Sequence, residues 1–236
     1  MLLVLSDRGI AVCDNYRTGY TQDDHKITNS SLVADEVGAK YDGHSTHRTV
    51  LMNLSSRRFL VRDRTSLSHA RVEAIVGSFS TIADYHRYLR GTYAFRSAYE
   101  DAMAGFDWPA DLPPLDHAPQ LLPLLRQDLG DLGLQPPAMH ESPLQVSDRE
   151  TLLGALYVTE GSSLGARILY RRAQGLGLTG EFGARHLFAQ SESLTRWRQL
   201  VKLLDEAPEL DLDRLVAASE TVFAAVGGAF ERLQDA

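Results

Sequence analysis

From Ser55 onward, apolar and polar positions recur with the 3.6-residue period of amphipathic helices. Leu60, Val61, Leu67, Val72, Ile75, Val76 and Phe79 are spaced as one buried stripe, which predicts a first helix over residues 56–77. Ser80 and Thr81 are good N-cap residues for a second helix, running through IADYHRYLRGTYAFRSAYEDAM until DWPADLPP breaks it. Pro119 and Pro123 frame a shorter helix around 116–129, and GDLGLQPPAMHESP reads as a loop. Ser147, with Glu150 three residues later, has the form of a capping box that opens a long helix reaching Gly175. Two more helices, over 190–206 and 211–234, close the chain. No strand period interrupts them, so the pattern predicts an all-α architecture of five to six main helices.

Residues 1–51 lack sustained periodicity and are rich in Asp, Thr, Ser, His and Gly, as in TGYTQDDHKITNSS. They read as an N-terminal extension, poorly ordered or loosely docked, ahead of a helical domain over 52–236. The formal net charge of −7 argues against nucleic acid or an anionic membrane as the main partner. Cys13 is the single cysteine, which leaves no internal disulfide and no cysteine-based zinc site, and suits a reducing, cytoplasmic setting. The opening MLLVL is too short for a signal-peptide core, and no apolar run reaches the length of a membrane span.

Within the long helix, LYVTEGSSLGARILY places Gly161 and Gly165 one turn apart, each costing about 1 kcal/mol relative to alanine. Gly154 extends them into a stripe within about 40° on one helical face. Two readings are open: close helix packing through small residues, or a flat ligand lying against bare backbone, with Ser162 and Ser163 lining space for water or a diatomic gas. In the first helix, Thr65, His69, Val72 and Val76 share a face, and Glu73 lies one turn after His69, where a carboxylate orients an imidazole. A lone inward histidine is usually a hydrogen-bonded core residue; with a glycine-lined wall opposite, it also fits the ligand side of a haem sandwich. His86, His117, His140 and His186 have no convincing partners by spacing.

RTSLSHARVEA, followed some ninety residues later by YVTEGSSLGARIL, resembles the haem oxygenase family, in particular its bacterial, biliverdin-forming branch, over about residues 54–234. The resemblance implies a haem oxygenase-like helical bundle in which His69 ligates haem iron with Glu73 one turn on. It likewise implies that Gly161 and Gly165 lie over the haem on a kinked distal helix. Ser162 stands where mammalian members place an aspartate that organises distal water. Arg62, Arg198 and Lys202 match basic residues that meet haem propionates, and Tyr93 matches an aromatic near the site. Haem b, as substrate and cofactor, and O2 are then implied. So are an electron donor such as a ferredoxin or an NADPH-dependent reductase, and a biliverdin-binding photoreceptor as one recipient of product.

Two other readings stand beside this one. A non-catalytic haem-binding protein for storage, transfer or sensing would use the same fold. A di-iron oxygenase or thiamin-related hydrolase on a similar bundle is weak, because Glu100, Glu150 and Glu160 lack a histidine three residues on.

Overall fold

Eight helices are found among the residues described by the structure, a computed structural model covering 57–138, 142, 144–192 and 194–233. The extension over 1–51 lies outside the described residues. The helices are α1 (Arg57–Val76), α2 (Ile82–Met103), α3 (Leu121–Asp131), α4 (Arg149–Gly161), α5 (Ser163–Gly175), α6 (Arg185–Ser191), α7 (Leu194–Glu206) and α8 (Leu212–Glu231). There is no β-sheet among the described residues; only isolated bridges at Thr179 tie the turn between α5 and α6.

The termini follow the local chemistry, with instructive shifts. Thr81 caps α2 as expected: its side chain accepts from the Asp84 amide while the Asp84 carboxylate accepts from the Thr81 amide. Gly77, at φ 68°, takes the left-handed conformation that stops α1. The fourth helix is capped one residue later than expected, by Asp148 with Thr151 rather than Ser147 with Glu150. Asp148 is an equally good cap, and the Thr151 hydroxyl closes the box. Glu150 is thereby released to a buried ion pair with Arg149. The third helix starts at Leu121 rather than 116, because Pro119 disfavours helical backbone in the residue before it.

Two further corrections raise the helix count above five or six. The long helix is broken at Ser162 into α4 and α5, and the segment expected to begin near 190 is divided into α6 and α7. The stripe on α1 is also narrower than its spacing suggested. Val61, Val72 and Val76 are buried, but Leu60 is exposed and Leu67 is 85% exposed.

The core follows from these faces. α8 is the central element and packs against α1, α2 and α4. Near one end, Val61 of α1, Leu152, Leu153 and Leu156 of α4, Leu200 and Leu203 of α7, and Leu215 of α8 form one apolar cluster. A larger cluster joins α2, α3, α5, α6 and the far half of α8 through Tyr85, Leu89, Leu125, Leu169, Leu187 and Phe230. Each such side chain, fully buried, stabilises the fold by about 1.5–3 kcal/mol.

Candidate functional site

α1, α4 and α8 run in the same direction. Arg64 pairs with Asp213 and a Cβ on Gly227 would meet Ile75, while Arg214 reaches Asp148 and Gly154 abuts Leu215 and Ala218. Starting from the shared cluster at Val61, Leu153 and Leu215, eight residues on each helix lead to His69, Gly161 and Phe223. At 1.5 Å per residue that is about 12 Å in each case, so the three lie at one level of the bundle. α1 and α4 both pack on α8 but make no extensive contact with one another.

The His69 ring of α1 and the Phe223 ring of α8 meet in a T-shaped arrangement, with centroids 5.9 Å apart at 74°. The side chain remains 36% exposed, and its Nδ1 lies 3.6 Å from Oε1 of Glu73. Burial, helped by the nearby Arg62 guanidinium, holds the imidazole below its ordinary pKa. Burial pushes the Glu73 carboxyl up from its usual value. The consequence is a neutral imidazole at pH 7 with Nδ1 addressed by an acid, leaving Nε2 as the available ligand nitrogen. Among the described residues, no three His, Cys, Asp or Glu side chains converge as metal ligands. A lone, neutral, partly exposed imidazole is the donor that a porphyrin-borne iron requires and that a protein-held ion does not. The residues present therefore fit haem on this side.

A second region is the break between α4 and α5. Ser162 keeps helical backbone angles there, but its neighbours no longer share one continuous helix. The Ser162 hydroxyl donates to the Thr159 carbonyl at 2.6 Å and accepts from Gln190 Nε2 at 2.5 Å. Ser163 donates to the Glu160 carbonyl at 2.6 Å. Both hydroxyl protons are thus committed to main-chain carbonyls.

The glycines separate. Gly154 does not belong to this region: a Cβ there would lie 2.7 Å from both Ala218 Cβ and the Leu215 carbonyl oxygen, so the absent side chain serves packing against α8. Gly161 faces α7, where a Cβ would lie 3.3 Å from the Trp197 ring, and Gly165 is buried.

The other residues singled out from the sequence are dispersed. Arg62 is exposed on α1 beside His69. Tyr93 is buried on α2 with its hydroxyl accepting from Arg126 Nη2 at 3.3 Å. Arg198 and Lys202 are exposed on α7, Lys202 lying 4.0 Å from Glu206. The structure thus brings His69, Glu73 and Arg62 together and sets Tyr93, Arg198 and Lys202 on other elements. A separate surface pocket between α2 and α8, lined by Arg90, Phe95, Ala98 and Arg232 among others, contains neither His69 nor the glycines.

Sequence spacing missed one buried pair. His186, expected to lack a partner, is fully buried with Nδ1 2.7 Å from Oδ2 of Asp128, and its ring stacks on Tyr88. Asp128 also accepts from the Arg185 and His186 amides. Fifty-eight residues separate the pair, so no local spacing signals it. Gln190, one turn after His186, carries the same α6 face to Ser162.

Comparison with known proteins gives these placements a context. No family model matches the chain. The chain is 31% identical over 173 residues to heme oxygenase PigA of Pseudomonas aeruginosa, covering 65% of this chain and 78% of that protein. Its fold matches a crystal structure of NO- and CO-bound heme oxygenase from Neisseria meningitidis with a TM-score of 0.54 and 25% identity, over 77% of this chain and 92% of the other. The likeness runs through most of both relatives and agrees with the helical bundle described above: the chain belongs to the haem oxygenase family.

Proposed function

We propose that this protein binds haem between α1 and the α4–α5 break and cleaves it to biliverdin, CO and Fe2+, using O2 and electrons from an external donor. The observation that carries this reading is the partly exposed His69 imidazole at about the level of Gly161, with Nδ1 3.6 Å from Oε1 of Glu73 one turn on. When bound, haem supplies the iron that activates oxygen, and the protein is left with binding, orientation and control of protons. His69 Nε2 would hold the iron, with Glu73 beside Nδ1 to orient the ring and raise its basicity as a ligand. Phe223 supports the ring from α8.

Gly165 keeps a side chain off the distal wall, where oxygen and the macrocycle need room, and the bare backbone of Gly161 lets Trp197 of α7 pack close behind the break. Ser162 serves this wall by position, since Gln190 and the Thr159 carbonyl pin it. Hydrogen bonds to the oxygen side then fall to main-chain groups around the break and to ordered water. Arg62, beside His69, would meet a propionate, and Arg198 and Lys202 of α7 would add positive charge to the haem rim. Tyr93 contributes to the α2 packing behind the site.

We place the reaction in the cytoplasm, in keeping with the single Cys13. Among the described residues no helix is long and apolar enough to cross a membrane. Haemin titration followed by aerobic turnover with a reductant tests the reading: the Soret band should form, then give way to biliverdin absorbance. A haem-binding protein without turnover would instead keep its Soret band through the same treatment.

A further inference from the structure

The cavity between α2 and α8 has no part in the haem reading. It encloses about 160 Å³ and is lined neither by His69 nor by the glycines of α4 and α5. Arg90, Ala94 and Ala98, one helical turn apart, turn one face of α2 to it, with Phe95 beside them. Gly228 and Arg232, again one turn apart, do the same from α8. Among its described lining side chains the polar ones are Arg90, Arg232 and Ser142, and none is an aspartate or glutamate. The Ser142 hydroxyl already accepts from the Leu144 amide at 3.2 Å.

Both arginines are left without an anionic partner. Neither makes an ion pair among the described residues, and Nε of Arg90 is buried with no hydrogen-bond acceptor. Buried donors in native proteins are nearly always satisfied, because leaving one unpaired is unfavourable. Gly228 is a second, independent observation. Glycine costs stability in a helix interior, and at Gly227 close packing accounts for it, since a Cβ there would lie 3.2 Å from Ile75. At Gly228 a Cβ would instead meet the Arg232 guanidinium, with Nη1 at 3.1 Å. The missing side chain leaves Arg232 room to lie back along α8 beside the cavity; it serves no contact between helices.

We propose that this cavity binds a small monocarboxylate with a compact apolar body, the carboxylate held by Arg90 and Arg232 and the body by Phe95, Ala94 and Ala98. Guanidinium groups take a carboxylate through charge-assisted hydrogen bonds, and the buried Nε–H of Arg90 gains its acceptor. The alanines and Phe95 offer a bare anion such as phosphate nothing to pack against, so the ligand's body is apolar. Volume sets its size. A cavity of this volume takes one six-membered ring, and a tetrapyrrole, with four rings, does not fit. The site is therefore separate from haem and its product, and its ligand binds whether or not haem is present.

The probe is benzoate, titrated by calorimetry into the full chain as purified and again after saturation with haemin. One equivalent should bind, with a Kd of about 0.1–1 mM that haemin leaves unchanged. Benzyl alcohol, which lacks the charge, and inorganic phosphate, which lacks the ring, should each bind about tenfold more weakly or worse. Arg90→Gln and Arg232→Gln should each raise the benzoate Kd by about tenfold, and Ala98→Leu, which fills the cavity and keeps both charges, should abolish binding. Absence of benzoate binding in the wild-type protein overturns the proposal. So does phosphate that binds as tightly as benzoate, which would mark a bare cationic patch, and so does benzoate displaced by haemin, which would place the probe in the haem site. Arg232 is exposed, so Arg232→Gln keeps the fold, and an unaltered Kd in that variant overturns the proposal whatever the stability of Arg90→Gln. A chain that takes up no haemin but binds benzoate counts against the haem oxygenase reading alone.

Discussion

Nδ1 of His69 lies 3.6 Å from Oε1 of Glu73, one helical turn further along α1. That spacing fixes which ring nitrogen faces the carboxylate and leaves Nε2 away from it. Removing the ring by His69→Ala should abolish the histidine-ligated Soret spectrum and turnover together. Glu73→Gln, which keeps the shape but not the charge, should retain the ligand and reduce haem affinity or turnover by about 10- to 100-fold. Haemin titration followed in the Soret region distinguishes the two; an unchanged spectrum in His69→Ala would assign the iron to another residue.

Proton competition for His69 sets a second expectation. Burial and Arg62 depress its pKa below the ordinary 6.5, so the imidazole remains an unprotonated ligand as the pH falls through that value. Replacing the positive charge, as in Arg62→Gln, removes one cause of the depression. The acid limb of haem binding should therefore move to higher pH in this variant. A pH series of haemin titrations checks the direction.

The glycines separate packing from function. Gly154→Ala places a methyl group 2.7 Å from a main-chain oxygen of α8 and should destabilise the fold by about 2 kcal/mol, read as a lower urea midpoint, with haem affinity per folded molecule unchanged. Gly165→Leu should do the opposite, lowering haem affinity per folded molecule by more than it lowers the midpoint. Loss of stability alone in Gly165→Leu would assign that glycine to packing as well.

Asp128 and His186 make an acid-sensitive lock between α3 and α6. Burial lowers the His186 pKa more than its hydrogen bond to Asp128 raises it, so the unfolded chain takes up a proton near 6.5 that the fold refuses. Burial alone would raise the Asp128 carboxyl, but hydrogen bonds from His186 and Arg185 outweigh it and hold the group low. Both signs agree: the unfolded state binds more protons, so stability is present above these ordinary values and is lost as the pH falls through and below 6.5. Asp128→Asn should cost about 3 kcal/mol at pH 7.5 and, because the carboxylate is what opposes the depression of the His186 pKa, should steepen the loss of stability below 6.5, which urea melts at several pH values measure.

Much of this arrangement was legible in the chain. The α1 and α2 boundaries, the helical class and the His69–Glu73 turn are local, set by periodicity, caps and i,i+4 spacing. The break at Ser162 was implied by the family resemblance as a kink but not by the periodicity, because the residues around it are compatible with a continuous helix until the Gln190 hydrogen bond and the Trp197 ring are present. Gly154 shares a helical face with Gly161 on an ideal helix, yet the two meet different partners, α8 and α7, and only tertiary packing tells them apart. Asp128 and His186 were invisible for the same reason. Leu60 and Leu67 fit the apolar period of α1 but stay exposed, so the period overstated the buried face.

Product analysis after aerobic turnover of the haem-loaded protein with ascorbate bears most directly on the central claim. The expected result is loss of the Soret band with stoichiometric biliverdin, resolved by chromatography, and release of CO, all absent in His69→Ala. Recovery of intact haem from the wild-type protein after the same treatment would contradict it.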